Sequence, residues 1–319
     1  LNETASVADY VLPATSPLER PDLPFIFPLF LGMQSIPYIA ATEALVEATG
    51  EQRDEATIYT DLATACGIGL FGSTLTQRLL RFLKSANKVF HPRSRPGLPQ
   101  KLLLDLMLRS SGNGSWRSLL QFPEGKPREQ VAPGSFLGKR PITDDGKVAL
   151  APAEFVAATG ALESRFAEYA QAQESGVMRL ISKRAHSTHN SWTQNIDALT
   201  NGDHNRTNYL YLHPADGQRL GLAEGDAADI RSATAAIRLP VKLLEELMPG
   251  TVAVPHGWGH QHASGLGVAS QLAGANVNIL ASDGPGNIEP LSGMAHLSGI
   301  PVEVTAAAGP VNRASWSGC

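Results

Sequence analysis

The sequence predicts a mixed α/β chain whose last part, from about residue 175, is a closed β-barrel. Amphipathic helical patterns lie between residues 51 and 109, and an Ala- and Glu-rich stretch over residues 151–173 indicates helix and linker. From Val177 the pattern changes to short strands separated by turns. Many short strands with turn signals between them are typical of a closed barrel. We therefore place a domain boundary near Ser175.

Three helices are expected in the first half of the chain, after a helix-like piece and a brief strand at Val11–Leu12. Apolar residues at helical spacing place them at Glu51–Cys66, Thr74–Lys88 and Pro99–Arg109. In the second helix the residues expected to face inward are Leu75, Leu79, Phe82 and Leu83. Residues 111–150 are rich in turns and end in a short strand at Val148–Leu150, which is typical of a functional or interdomain loop.

Alternating apolar residues predict six short strands in the second half. These strands are Val177–Ile181, Asn208–Leu212, Ala228–Ser232, Ala236–Val241, Val252–Pro255 and Val302–Val304. The third and fourth are close enough to form a hairpin. One short helix is expected at Pro214–Leu220, ended by Gly221, and a brief helical segment at Leu244–Met248.

Composition and charge exclude several classes of protein. With 319 residues, 43% of them hydrophobic, the chain can bury a core and form about two domains. The net charge of −4 and the absence of a Lys/Arg run argue against a nucleic-acid partner. Cys66 and Cys319 are too far apart for a metal knuckle, so a reducing compartment, the cytoplasm, is expected. Because the sequence opens at Leu1 without a methionine, a periplasmic location stays open.

A membrane span is one alternative for the long apolar segment at residues 23–40. Pro24, Pro28, Gly32 and Pro37 interrupt this segment, and two polar residues lie in its middle. A spanning helix needs about 20 predominantly apolar residues in succession. We therefore interpret the segment as buried, irregular core and expect no membrane span.

Three polar segments of the second half concentrate groups that suit a large anionic and aromatic ligand. They are LISKRAHSTHNSW at 180–192, PHGWGH at 255–260 and NVNIL at 276–280. Arg184 can bind a phosphate through two parallel hydrogen bonds, and Lys183 can bind it as a point charge. The glycines beside Trp258 let the backbone approach a ligand closely.

Other interpretations of these segments stay open. The first segment could be a polar surface turn with one buried tryptophan, Trp192. Asn276 and Asn278 could project to one side of an extended segment or could cap turns. His256, His260 and His262 could bind a metal, but their spacing is not that of a helical HExxH motif. We expect no metal ligand and no catalytic residue in this chain.

Phrases along nearly the whole chain resemble the C-terminal part of the molybdopterin-dependent oxidoreductases, the superfamily of formate dehydrogenase, nitrate reductase and dimethyl sulfoxide reductase. NETASVADYVLP at 2–13 and GEQRDEATIYTDLATACG at 50–67 resemble phrases that precede the last domain. HPADGQRLGLAEGD at 213–226, LPVKLLEELMPGTVAVPHGWGH at 239–260 and PLSGMAHLSGIPVEV at 290–304 resemble the dinucleotide-binding domain. The order and number of these phrases make the resemblance specific.

The resemblance implies a fold for each part of the chain. It implies a double-psi β-barrel at 175–306, preceded by helical and partial α/β segments of a larger multidomain enzyme. Residues 1–24 would be the tail of a Rossmann-like α/β cofactor-binding domain, and residues 25–174 a mainly helical region with long connecting loops. Residues 307–319 would be a C-terminal tail.

The resemblance also implies an activity. A molybdenum or tungsten ion held by bis-molybdopterin guanine dinucleotide would transfer an oxygen atom or a hydride equivalent, together with two electrons. In the family, the N-terminal region carries a [4Fe-4S] cluster and the protein ligand of the metal. Neither is present in this sequence, so we expect a fragment that is inactive alone. Its partners would be the missing N-terminal domains, a small-molecule substrate and an electron-transfer partner.

Two alternatives to this activity are kept. The first is a stand-alone double-psi barrel that binds a ligand without redox chemistry. The second, a non-redox enzyme on the same barrel, ranks last because no nucleophile–base pair is visible in the sequence. A cysteine cluster encoded upstream of Leu1 would favour the oxidoreductase over both.

The resemblance supplies further candidate contacts with the cofactor. His186, His189, Asn190 and Ser191 match the family's cofactor-contacting loop, and Asn278 matches an asparagine used against the pterin or guanine. The family's usual Gly–Arg at positions 182–183 is replaced in this chain by Ser182–Lys183. The complete set of predicted cofactor-binding residues is Lys183, Arg184, His186, His189, Asn190, Ser191, Trp192, His256, Gly257, Trp258, Asn276 and Asn278.

Overall fold

A computed structural model describes residues 2–23, 38–91, 97–128, 132, 134, 143–186, 188–200 and 205–309. The chain divides into two compact units, one of Leu1–Asp9 with Ala149–Cys319 and the other of Tyr10–Val148. Most of the apolar segment predicted as buried core at 23–40, and the tail from residue 310, lie outside the described residues. Within the described ranges, no helix is long and apolar enough to cross a membrane.

Among the described residues, most helices precede residue 175 and most strands follow it. The α-helices are α1 Glu3–Ser6, α2 Glu55–Ala65, α3 Thr74–Phe90, α4 Gln100–Ser110, α5 Trp116–Leu119, α6 Ala153–Thr159, α7 Leu162–Glu174, α8 Asp197–Thr200 and α9 Pro214–Leu220. The strands are β1 Tyr38–Ile39, β2 Lys126–Pro127, β3 Met178–Lys183, β4 Leu210–Leu212, β5 Ala227–Arg231, β6 Ala236–Leu243, β7 Thr251–Pro255 and β8 Ile300–Ala306. Short 3-10 helices cover Pro17–Glu19, Leu70–Gly72, Ala269–Gln271, Val277–Leu280 and Pro285–Asn287.

Helices dominate the unit Tyr10–Val148, and its three predicted helices are confirmed as α2, α3 and α4. Its buried apolar cluster consists of Leu23, Leu108, Trp116 and Leu119. The strand predicted at Val148–Leu150 is wrong. The strand predicted at Val11–Leu12 is also wrong, because the pairing near it is a single bridge between Ala14 and Arg53.

The expected inward face of α3 is exposed instead. Leu75, Leu79 and Phe82 are 76%, 55% and 68% exposed. The helix packs on α2 through a polar contact, because Nε2 of the buried Gln77 donates hydrogen bonds of 2.8 Å to the Thr60 carbonyl and 2.7 Å to Thr64 Oγ1. Its apolar stripe therefore has no cover among the described residues of its unit.

The C-terminal half contains a closed six-stranded barrel in the order β3-β7-β4-β6-β5-β8. The pairs β3–β7 and β4–β6 are parallel, and the others are antiparallel. Alternate residues of each strand fill the interior, as the two-residue period of a strand requires. Leu180, Leu212, Leu239 and Val252 are among these core residues, each at most 1% exposed. The predicted mixed α/β fold with a double-psi barrel in the C-terminal half is confirmed.

Local signals predicted one of the barrel's connections correctly and another wrongly. Helix α9 has the predicted bounds, Pro214–Leu220. His213 caps its start, because its Nδ1 accepts a hydrogen bond from the Ala215 amide, and Gly221, with φ of 68°, caps its end. That left-handed conformation is readily adopted by glycine. The segment Leu244–Met248, predicted to be helical, is a turn, and the prediction there is wrong.

A cross-strand ion pair makes the stability of the barrel depend on pH. Arg238 donates two hydrogen bonds to Asp229, of 2.6 and 2.8 Å, and these hold the pKa of Asp229 below its usual value. A carboxyl whose pKa is lower in the folded state stabilises the protein above its unfolded pKa of about 3.9, and this contribution is lost as the pH falls through the folded pKa.

We therefore expect Asp229→Asn to lower the free energy of unfolding modestly at pH 7, because the pair is partly exposed. The difference from the parent protein should shrink as the solution is acidified below the unfolded pKa. Urea unfolding of both proteins over an acid-to-neutral pH series measures it. A difference that persists undiminished at the acid end would contradict this role.

Candidate functional site

Parallel pairing of two strands brings the predicted polar segments to one end of the barrel. Lys183 at the end of β3 is level with Pro255 at the end of β7, so the segments that follow both strands start side by side. Strand β4 runs antiparallel to β7, which places the residues before β4 at the same end. We call this end, with residues 182–186, 188–196, 205–209 and 255–280, the barrel mouth.

A chain of hydrogen bonds links three predicted residues at the barrel mouth. Asn190 Oδ1 accepts a hydrogen bond of 3.2 Å from Arg184 Nη1 and lies 3.0 Å from His256 Nε2. His256 Nδ1 lies 3.1 Å from the Ser182 hydroxyl. With hydrogen on Nε2, the neutral ring donates to Asn190 and accepts from Ser182, so one tautomer satisfies both contacts. Asn190 has φ of 51°, a conformation that asparagine tolerates better than most residues.

Several groups of the first segment are open to solvent at the barrel mouth. Arg184, His186, His189 and Ser191 are exposed. Trp192 is 73% exposed, and its ring stands nearly perpendicular to the His189 ring, with the two ring centroids 6.1 Å apart. The alternative of a polar surface turn is right about the turn and wrong about the tryptophan, which is not buried. A guanidinium and an indole face are both available to a ligand at this end.

The glycines of PHGWGH allow neighbouring segments to touch each other. Gly257 and Gly259 have φ of 105° and 100°. A Cβ on Gly257 would lie 2.6 Å from the Asn190 carbonyl oxygen, and one on Gly259 would lie 2.6 Å from the Asn276 nitrogen. The sequence predicted close approach of the backbone to a ligand, whereas the observed approach is between segments. Trp258 is 3% exposed, so its ring anchors this contact from inside.

Asn208 is a residue that sequence analysis missed at this site. It is 1% exposed, and its Nδ2 donates hydrogen bonds of 2.9 Å to both the Pro255 and the Ala275 carbonyl. Its Oδ1 accepts one of 3.0 Å from the Ala275 amide. This side chain therefore ties the end of β7 to the segment that carries Asn276. The sequence offered no signal for it beyond a polar residue at the start of a predicted strand.

Gln194 is a second residue that the sequence did not reveal. It is fully buried, and among the described residues neither polar atom of its amide has a hydrogen-bond partner. The indole nitrogen of Trp258 is also buried and also lacks a hydrogen-bond partner among the described residues. A buried polar group without a partner costs about 1–3 kcal/mol. Two such groups therefore lie at the barrel mouth without the partners that buried polar groups usually have.

Two predicted contacts have a geometry that differs from expectation. NVNIL is not extended, because Val277–Leu280 is a 3-10 helix and Asn276 Oδ1 accepts the amide hydrogen of Asn278 as its cap. The capping alternative is thus confirmed for Asn276, while Asn278 remains exposed. Lys183 lies on the outer face of the barrel, with Nζ 4.8 Å from the centroid of the Tyr211 ring. It points away from the cluster around Asn190.

The two histidines of the PHGWGH segment, His256 and His260, contact different groups. His256 contacts Ser182 and Asn190, whereas His260 contacts Glu3 and the Gly257 carbonyl. Over the described ranges, no group of three His, Cys, Asp or Glu side chains is arranged to hold a metal ion. What the barrel mouth offers chemically is binding and orientation of an anionic, aromatic ligand.

Comparison with known proteins finds one matching family and several similar proteins. Residues 178–301 match the family described as Molydopterin dinucleotide binding domain. The chain is 31% identical over 80 residues to the arsenate respiratory reductase molybdopterin-containing subunit of Chrysiogenes arsenatis, a match to 25% of this chain and 10% of that protein. It is 39% identical over 54 residues to a tetrathionate reductase subunit of Salmonella typhimurium, a match to 17% of this chain and 5% of that protein.

A solved structure shares the fold over nearly the whole chain. Acetylene hydratase from Pelobacter acetylenicus superposes with a TM-score of 0.60 at 21% identity, over 96% of this chain and 39% of that one. The chain thus spans about two fifths of the solved enzyme, and the matches cover a tenth or less of the two reductase subunits. The resemblance predicted from the sequence is confirmed over the barrel: residues 178–301 match a molybdopterin dinucleotide-binding domain.

Proposed function

We propose that this chain is the C-terminal part of a molybdenum or tungsten oxidoreductase whose barrel mouth binds bis-molybdopterin guanine dinucleotide. The observation that carries the proposal is the cluster in which Arg184, Asn190 and His256 meet beside the exposed Trp192. When bound, the cofactor supplies two-electron transfer of an oxygen atom or a hydride equivalent. Two of the similar proteins are named reductases and one is named a hydratase. Because these names differ in reaction type, the redox reaction of this chain's enzyme is itself proposed.

Each part of the cofactor has suitable groups at the barrel mouth. Arg184 would hold the pyrophosphate, because its planar guanidinium matches two phosphate oxygens at once. The Trp192 face would stack on a planar ring. Asn278, His186 and His189 would donate to or accept from the polar edge of the guanine or pterin.

The buried groups without partners support the fit. Gln194 can donate two hydrogen bonds and accept two, which suits the mixed donor and acceptor edge of a guanine or pterin. Trp258 can donate one. Lys183, held over Tyr211, would add positive charge beside the site rather than a direct contact. Ser191 and the backbone at Gly257 would line the rest of the cofactor-binding site.

The remaining parts of the enzyme would lie outside this chain. The protein ligand of the metal and a [4Fe-4S] cluster would belong to N-terminal domains, as would much of the path for a small-molecule substrate. An electron-transfer partner is part of the same proposal. The exposed stripe of α3, which includes Leu75 and Phe82, supports a longer enzyme, because large apolar patches on a soluble protein are usually covered.

Cofactor content tests the proposed function. The full-length enzyme, purified from cells supplied with molybdate and tungstate, is expected to contain one of these metals together with guanine nucleotide. Arg184→Ala should weaken cofactor retention about 10- to 100-fold, because a charge-assisted hydrogen bond contributes roughly 1.5–3 kcal/mol. Metal and nucleotide per protein, measured after gel filtration at increasing dilution, report this loss.

A matched control is available at the other end of the barrel. Arg219 lies on α9, which follows β4, and its side chain is paired with Asp216. Arg219→Ala should therefore retain the cofactor like the parent enzyme. Parent protein free of metal and nucleotide would refute the proposed function, and equal retention in both arginine variants would refute the role of Arg184.

A further inference from the structure

His260 uses both nitrogens of its ring in hydrogen bonds. Its side chain is 12% exposed, and Nδ1 lies 3.0 and 3.1 Å from the two carboxylate oxygens of Glu3. Nε2 lies 3.0 Å from the Gly257 carbonyl oxygen. Glu3 and His260 belong to the same compact unit although they are 257 positions apart. The ring therefore joins helix α1 to the PHGWGH segment.

Both partners of this ring are hydrogen-bond acceptors. A carbonyl oxygen cannot donate, so Nε2 must carry a hydrogen to make its bond. The Glu3 side chain is 41% exposed, and a carboxylate accepts hydrogen bonds but cannot donate them. Nδ1 must then carry a hydrogen as well. Both bonds form together only when His260 is an imidazolium cation.

His256, four residues earlier, provides an internal contrast. One of its partners is the Ser182 hydroxyl, which can donate as well as accept, and the other is the Asn190 amide oxygen. A neutral ring satisfies both contacts, so the geometry requires no positive charge there. The partners of the two histidines therefore require different hydrogens on the two rings.

The Gly257 carbonyl oxygen, which His260 contacts, lies where the segments of the barrel mouth meet. Gly257 has a left-handed φ of 105° and approaches the Asn190 carbonyl too closely for a side chain. The residue after His260, Gln261, donates to the carbonyls of Leu272 and Gly274. The His260 side chain thus contacts the beginning of the PHGWGH segment, and the Gln261 side chain connects its end to residues 272–274.

We propose that His260 is a positioning residue that, as an imidazolium bridging the Glu3 carboxylate and the Gly257 carbonyl, holds the PHGWGH segment in its ligand-binding conformation. That the segment binds a ligand rests on the proposed function, whereas the bridge and its protonation state do not. Glu3 supplies the charged group that contacts the ring. Its negative charge offsets that of His260, which leaves the net charge of the barrel mouth unchanged by the bridge.

The protonation state can be read directly in the intact protein. With ¹⁵N-labelled histidine at pH 7, long-range proton–nitrogen spectra should show hydrogen on both ring nitrogens of His260 and on one ring nitrogen of His256. The signals are assigned from His260→Gln and His256→Gln. Glu3→Gln should convert His260 to a neutral ring without changing the spectrum of His256. A neutral His260 ring in the parent protein would overturn the proposal.

The positioning role has its own readout. In His260→Gln, the backbone amides of residues 257–259 should exchange with solvent at least tenfold faster, while those of β7 stay protected. His213→Gln is the matched control, because His213 caps α9 at the other end of the barrel. Unchanged exchange in His260→Gln would overturn the positioning role. Absence of pterin nucleotide from the parent enzyme would refute the proposed function. It would not affect the conclusion that the exchange experiment gives on the positioning role of His260.

Discussion

Asn208→Asp is expected to destabilise the barrel by about 3–5 kcal/mol, the range for a buried charge without compensation. The amide nitrogen of Asn208 donates to two carbonyl oxygens in an environment only 1% exposed. Aspartate has nearly the same shape but brings an acceptor to face both carbonyls, so two favourable contacts become repulsive. Urea unfolding of the parent and variant measures the difference.

Asn287 provides the control for this substitution. It is exposed, and its amide makes a single hydrogen bond, to the Asp283 carbonyl, within a turn. Surface substitutions of this kind usually change stability by less than about 0.5 kcal/mol, so Asn287→Asp should behave almost like the parent protein. A loss below about 1 kcal/mol for Asn208→Asp would show that Asn208 does not hold the barrel mouth together.

Gly257→Ala is expected to abolish cofactor retention in the full-length enzyme while the barrel still folds. The added Cβ would lie 2.6 Å from the Asn190 carbonyl oxygen, and the φ of 105° is one that alanine rarely adopts. Strained backbone of this kind costs about 1–3 kcal/mol, and relief requires the PHGWGH and Asn190 segments to separate. Nucleotide and metal content, together with the unfolding free energy, are the measurements.

Gly267 offers a matched glycine in the same stretch of chain. A Cβ there would meet open space, and its φ is not left-handed. Gly267→Ala should therefore keep the cofactor and the stability of the parent enzyme. If Gly257→Ala retains as much cofactor as Gly267→Ala, the close contact with Asn190 is not needed for binding.

The sequence predicted the barrel because alternation and burial coincide along its strands. Leu210 and Leu212, or Leu239 and Val241, stand two apart, and each is at most 1% exposed. The bounds of α9 followed from a proline at its start and Gly221 at its end. In each case the signal lies within a few residues of the structure that it specifies.

The errors arose where structure depends on distant residues. The apolar stripe of α3 has the spacing of a buried face, but the helix docks on α2 through Gln77.

The sequence also did not predict the residues that connect segments of the candidate site, because their partners are distant along the chain. Arg184, Asn190 and His256 were recognised by their chemistry and by resemblance, and the structure brings them together. Asn208 acts across 47 and 67 positions, and His260 across 257. Periodicity within one segment carries no information about partners so far along the chain.

Closure of the barrel by its last strand affects how the protein is synthesised. Strand β3 pairs with β8, Leu180 opposite Ile300, so one edge of β3 stays open until about 120 further residues have left the ribosome. At roughly 5–20 residues per second, that interval lasts about 6–24 s. An open strand edge is a template for joining another chain. Nascent copies on one messenger are therefore exposed to each other for seconds, and prompt completion of β8 protects them from aggregation.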